Sequence, residues 1–420
     1  MMKKVKPTKL AMVIVTGSLV LAPLIFSIPM VREKIEWRVN EALAQVKYLI
    51  SPPEEVIFIP KEGYPTRLPH ATATGMTPTP QKTPASTQTP TIAPPPLPEA
   101  ASLNGVRHEY QTWNNCGPAT LAMALTYWGW DGDQQPIADF TKPNSRDKNV
   151  MPDELSKFIL EDTGFEVVYR TGGDIQILKR FLAAELPVIV EKGFEGRDFD
   201  GWMGHYVLVT GYDETEGRFI VQDSYYGPDQ LIQYDEFQSN WRAFNYTYLV
   251  VYPIERHNAV IEILGPHSDV DYNNRSSVQV ASGEISQLAG RDRFFAWFNL
   301  GSSLVQLQDY AGAALAYDNA FAMYPDIPNN KRPWRMMWYQ TGPYLAYFYT
   351  SRYQDVIDLA TTTLNAMSEP VLEESYYWRA RAYESIGDNE NAELDLRTAL
   401  KYHPGFEPAM NQIQQLNGVP

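Results

Sequence analysis

Gln111-Thr-Trp-Asn-Asn-Cys116-Gly-Pro-Ala-Thr120 runs straight into Leu121-Ala-Met-Ala-Leu-Thr-Tyr-Trp128, and these eighteen residues are the key to the chain. Leu121, Ala124, Leu125 and Trp128 recur at helical spacing, which predicts a helix starting at or just after Cys116. Pro118 suits the first turn, where its missing N–H would have had no intrahelical partner, and Gly129 tolerates the positive φ that stops a helix. A thiol at that end faces free backbone N–H groups and the positive end of the helix dipole, both of which favour the thiolate. The alternative is a small buried hydrophobe ahead of an apolar helix. Gln111 favours the reactive reading, because an amide donor just before a helix-borne thiol can reach an oxyanion formed in acyl transfer. Its alternative is an exposed polar loop residue.

A thiolate nucleophile needs a base, and Trp202-Met-Gly-His205-Tyr-Val-Leu-Val-Thr-Gly211 supplies one at the start of an apolar, β-branched run. Gly204 lets another group approach closely. The chain then turns through Asp213-Glu-Thr-Glu-Gly217 into Arg218-Phe-Ile-Val-Gln-Asp223, which predicts a β-hairpin. A turn centred near residue 214 sets Asp223 directly opposite His205, where an acid would orient the imidazole and stabilise its cation. The alternatives are a hydrogen-bonded core histidine and a strand-end cap. His108, close before Cys116 and on the expected entering strand, and His257, after the last expected strand, compete poorly on chain geometry. Helical patterns at Pro152–Leu160 and Ile175–Leu182 and a buried strand Pro187–Val190 lie between the two motifs.

The stretch around Cys116 resembles the N-terminal motif of C39-like peptidases, in which Gln precedes Asn-x-Cys-Gly-Pro-Ala and the thiolate acts as in papain. Exporter-linked members place the Gln one residue further from the Cys. The family pattern of Gly-His, a strand and Asp-Pro is met at Gly204, His205 and Asp223, with Ser224 where Pro is usual. The resemblance covers about residues 104–255. It implies a papain-like α+β peptidase domain with Cys116 as nucleophile, His205 as base, Asp223 as the orienting acid and Gln111, with the Cys116 amide, at the oxyanion. It implies no cofactor, and a peptide or protein as substrate.

Elsewhere the 420 residues point to several domains rather than one core. A net charge of −15 argues against a nucleic-acid partner. One cysteine excludes an intrachain disulfide framework and a Cys-rich zinc site, and the six histidines show no HExxH spacing. Lys3, Lys4, Lys6 and Lys9 precede an uncharged run from Leu10 to Ile28. At about 19 residues it would cross a hydrocarbon core of roughly 30 Å as a helix. Residues 1–30 therefore read as a cytoplasmic tip and membrane anchor, with the N-terminus inside and the bulk of the chain outside a cell membrane. A cleaved signal peptide is the alternative, although the nearest small-x-small site, Ala42–Ala44, lies well beyond the run. A juxtamembrane helix over 31–50 and a Pro/Thr-rich linker over 51–103, as in Met76-Thr-Pro-Thr-Pro, follow.

A longer periodicity begins near Arg293, after a connector over 256–292 with one helix from about Ser277 to Leu288. Gly301, Ala313 and Pro325 recur 79 residues later as Ala380, Ala392 and Pro404, with Trp297, Leu300, Tyr317 and Ala320 completing the first unit. The spacing resembles tetratricopeptide repeats, with a middle unit around Tyr344, Tyr347 and Tyr353 lengthened in 326–335. The fold class expected is thus a papain-like α+β peptidase domain plus an all-α tetratricopeptide solenoid, with an N-terminal transmembrane helix. The repeats would bind a protein or peptide partner in their groove, or merely brace the peptidase. Three readings of the whole remain open: a membrane-anchored extracytoplasmic cysteine peptidase, an inactive papain-like scaffold whose repeats recruit a partner, and a thiol enzyme that transfers its acyl group to an amine.

Overall fold

The computed structural model describes residues 46, 57–61, 96–144, 146–195, 201–367, 369–416 and 418. The expected membrane span, the cytoplasmic tip, the juxtamembrane helix apart from Val46, and most of the linker lie outside them. Among the described residues no helix is long and apolar enough to cross a membrane.

The chain enters through β1 (Ala100–Ser102), then forms α1 (Cys116–Tyr127), α2 (Gln134–Thr141), α3 (Pro152–Asp162), β2 (Glu166–Arg170), α4 (Ile175–Ala183) and β3 (Val188–Glu195). It continues through β4 (Trp202–Asp213), β5 (Arg218–Asp223), β6 (Gly227–Gln233), α5 (Tyr234–Arg242) and β7 (Tyr248–Tyr252). The strands make one antiparallel sheet in the order β2-β7-β3-β4-β5-β6, with β1 beside the far end of β4. Alternation along the strands divides the core. Ile189, Leu208, Leu249 and Val251 pack under α1–α3, whereas Val188, Val190, Val207, Val209 and Val250 face Phe181 of α4 and Trp241 of α5. With both faces covered, α1 has no solvent side, and Gly117 through Leu125 are all buried.

The hairpin register differs from the expected one. β4 keeps Asp213 in the ladder opposite Arg218, and beyond a bulge near Gly211 the pairs are Val209 with Val221 and Leu208 with Gln222. Continuing that register sets Asp223 level with Val207 rather than His205. The displacement of two residues matches the side-chain period of a strand, so Asp223 stays on the same face and reaches His205 diagonally. His205 itself pairs with Lys192 on β3, a strand that runs five residues past the Val190 expected from its apolar run. His108 lies in irregular chain after β1 rather than on a strand.

A helical region follows the sheet domain. The connector is two helices, α6 (His257–Leu264) and α7 (Val270–Gln287), the second beginning well before Ser277. Helical hairpins are then built from α8 (Gly290–Gln306) with α9 (Tyr310–Met323). After the four-residue α10 (Met336–Tyr339) come α11 (Gly342–Tyr349) with α12 (Tyr353–Asn365), α13 (Glu373–Ser385) with α14 (Asn389–Tyr402), and α15 (Glu407–Leu416). The repeat extends to turn chemistry: Asp309 and Asp388 cap α9 and α14 by accepting from Gly312 N and Asn391 N, at 2.9 and 3.2 Å. At Gly301 an added Cβ would lie 2.6 Å from the Tyr317 ring, which explains the small residue there. Residues 57–61 depart from the reading of 51–103 as a spacer without fold. Phe58 is buried against Phe321, with ring centroids 5.0 Å apart, and Lys61 N donates to Asp355 Oδ1 at 2.8 Å.

Candidate active site

Cys116 is the first residue of α1, and the loop before it is held by side chains of α2. Gln134 Oε1 accepts from Thr112 N at 2.8 Å and from Asn115 Nδ2 at 2.6 Å, while Gln134 Nε2 donates to Tyr110 O at 2.8 Å. Lys142 Nζ donates to Asn114 O at 2.8 Å. Asn114 takes a left-handed turn with φ 53°, which brings the chain sharply into the helix. Thr120 Oγ1 donates to Tyr206 O at 3.2 Å, tying α1 to β4 beside His205. Neither Gln134 nor Lys142 carries a motif; only their burial beneath the loop reveals them.

The thiol is half-buried, and burial pushes its pKa up. The hydrogen bond and charge of His205, a backbone hydrogen bond from Tyr206 and the charge of Lys142 outweigh this and hold it below the ordinary value. Lys142 is itself lowered to about 8, by desolvation first.

His205 Nε2 lies 2.9 Å from Asp223 Oδ1, with both side chains almost fully enclosed. Burial alone would lower the imidazole pKa, but the charge and hydrogen bond of Asp223, then of Cys116, raise it to about 9. Asp223 is held well below the carboxylate range. Burial opposes this, and the charge and hydrogen bond of His205, the charge of buried Lys192 and the Tyr226 N–H overcome it. Phe194 flanks the imidazole, ring centroids 5.0 Å apart, and limits its rotation.

Gln111 meets the end of β5. Its backbone N donates to Ser224 O at 3.0 Å, and Ser224 Oγ donates to Gln111 Oε1 at 2.9 Å. With the carbonyl oxygen engaged, the amide Nε2 is the donor left for a ligand. Ser224, the departure from the usual Pro, is therefore the residue that orients Gln111.

The four residues singled out in the sequence do meet: Gln111, Cys116 and His205 line one cleft, and Asp223 stands behind His205. Such an arrangement can hold a thiolate–imidazolium pair, offer donors to a developing oxyanion and pass a proton to a leaving group. The space over Gly204 is taken by Phe244 and Tyr339, the latter from the helical region; a Cβ would lie 2.6 and 2.9 Å from their ring carbons. Away from the cleft, Asp147, Glu373 and His403 offer three possible metal-ligand atoms within 4.8 Å of one another where the sheet domain meets α13 and α14.

Residues 103–249 match the model of the Peptidase_C39 like family, and residues 373–405 match that of the tetratricopeptide repeat. The chain thus carries a C39-like peptidase domain followed by a tetratricopeptide repeat. No curated protein matches it. Among solved structures, a candidate C39-like peptidase from Bacillus anthracis is 18% identical, covering 37% of this chain and 98% of that one with a TM-score of 0.31. The peptidase domain of Streptococcus ComA, a bi-functional ABC transporter, is 18% identical over 35% of this chain and 98% of its own, with a TM-score of 0.28. A double glycine motif protease from an AMS/PCAT transporter, in complex with the leader peptide, is 22% identical over 36% and 94%, with a TM-score of 0.28.

Proposed function

We propose that the sheet domain is an active cysteine peptidase. The observation that carries this reading is His205, which shares the cleft with Cys116 and is hydrogen-bonded to Asp223 at 2.9 Å. The Cys116 thiolate attacks a peptide carbonyl to form a tetrahedral intermediate, whose oxyanion takes hydrogen bonds from the Cys116 backbone N–H and Gln111 Nε2. Asp223 occupies His205 Nε2, so Nδ1 carries the proton that goes to the leaving amine as the C–N bond breaks. A thioester remains. Nδ1 then takes a proton from water, the hydroxide adds to the thioester carbonyl, and the acid product leaves with the thiolate restored.

The uncharged run 10–28 anchors the enzyme in a cell membrane with its peptidase outside, and the helical region engages a peptide or protein partner. The test compares new protein N-termini between cells carrying the wild-type chain and Cys116→Ala. A set of N-termini present only with the wild type is expected, together with Cys116 alkylation by iodoacetamide near pH 6 far faster than a free thiol and lost in His205→Ala. Identical N-termini in both strains and alkylation no faster than a free thiol would sink the reading.

A further inference from the structure

The cleft that holds Cys116 and His205 is not walled by the sheet domain alone. Arg335, Trp338 and Tyr339 also line it, and they come from α10 and the residue before it, at the end of the stretch 326–335 and just beyond it. The stretch is fastened on both sides. Arg335 Nη1 donates to Trp202 O at 2.9 Å, and Gln340 Nε2 donates to Ala243 O at 2.7 Å. Between them the Tyr339 ring stands edge-on to Trp202 and Phe244, at centroid distances of 6.2 and 5.7 Å.

Trp338 differs from its neighbours. The residue is 7% exposed and lines the cleft, while its indole N–H lies beneath the surface without a hydrogen-bond partner. A donor so covered does not reach a ligand in the cleft, so what Trp338 offers there is its aromatic face. The aromatic faces of Trp113, Trp338 and Tyr339 suit a large apolar side chain of a peptide in the cleft.

We propose that α10 is the specificity wall of the peptidase. Trp338 and Tyr339 pack against an aromatic or large aliphatic substrate side chain beside the scissile bond. Arg335 is a positioning residue that holds the wall to β4. The inference rests on the reading of Cys116 as a peptidase nucleophile, and it makes the helical region part of substrate selection in the cleft itself.

The test labels Cys116 in the full chain with two peptidyl chloromethyl ketones that differ only in carrying Phe or Ala next to the reactive residue, with iodoacetamide as a small reference. Wild type should react with the Phe reagent about tenfold faster than with the Ala reagent, the discrimination worth roughly one buried side-chain contact. Trp338→Ala should bring that ratio close to one. Trp338→Phe, which keeps an aromatic face, should keep most of the ratio. Iodoacetamide rates should stay the same in all three proteins, which reports an intact thiolate–imidazolium pair. An unchanged ratio in Trp338→Ala would overturn the proposal, as would faster reaction with both peptidyl reagents, which would make α10 a plug. A wild-type Cys116 no more reactive to iodoacetamide than a free thiol would instead fell the peptidase reading, and this inference with it.

Discussion

One oxygen, Oδ1 of Asp223, faces His205 Nε2 and the backbone N–H groups of Tyr225 and Tyr226, at 2.9, 2.8 and 3.1 Å. Replacing it with an amide in Asp223→Asn should keep the shape and misorient the imidazole, with kcat falling by about a thousandfold or more. The pH dependence follows from the same contacts. Below the depressed thiol pKa the nucleophile is protonated, and above about 9 His205 loses the proton the leaving amine needs. kcat/KM should therefore be bell-shaped, with a basic limb near pH 9 that moves towards 6.5 in Asp223→Asn, where the raising charge is gone. Stability has its own window. Asp223 is depressed from 3.8, so its contribution is present above that value and lost as pH falls further; His205 is raised from 6.5, so its contribution is full below 6.5 and lost as pH rises through about 9. The melting temperature of wild type should exceed that of Asp223→Asn most between about pH 4 and 6.5, and the gap should shrink above 9. Cys116 and His205 were legible as residues because one opens a helix and the other lies near the start of a strand, each with a recognisable pattern. Lys142, Gln134 and Lys192 were not, since a buried lysine or glutamine has no local signature and is defined only by what covers it.

Elements decide how the two halves of the site meet. The β4–β5 hairpin was legible from its alternating runs and polar turn, but its register was not. Beyond the bulge the pairing is displaced by two residues from the one the sequence suggests, and only the even displacement keeps Asp223 on the face of His205. One residue past β5, Ser224 joins this hairpin to the loop of Gln111 through two hydrogen bonds, at 3.0 and 2.9 Å. Gln111→Ala should lower kcat by about a hundredfold to a thousandfold, the usual loss for one oxyanion donor. Ser224→Ala should cost about tenfold, through misorientation of Gln111. The double substitution should be no worse than Gln111→Ala alone, because Ser224 acts through that side chain. Steady-state kinetics on one cleavable peptide checks all three, and additive losses would give Ser224 a separate role.

At the scale of the molecule, the chain folds back on itself at points far apart in sequence. Phe58, from the stretch read as spacer, enters the core of the helical region beside Phe321 and Tyr347. Phe58→Ala should destabilise that region by about 3–5 kcal/mol in urea unfolding, whereas a true spacer residue would change nothing. The sequence by itself determined the helix that begins at Cys116, the strand that carries His205, the following strand that ends at Asp223 and the 79-residue recurrence of the helical units. These follow from periods of a few residues or from repetition, which need no knowledge of distant neighbours. Only the tertiary structure decided that α10 walls the cleft, that Phe58 docks on the repeats and that Lys142 lies beneath the nucleophile loop. Each of these is a contact between segments with no shared period, fixed by which surfaces remain to be buried once the elements have formed.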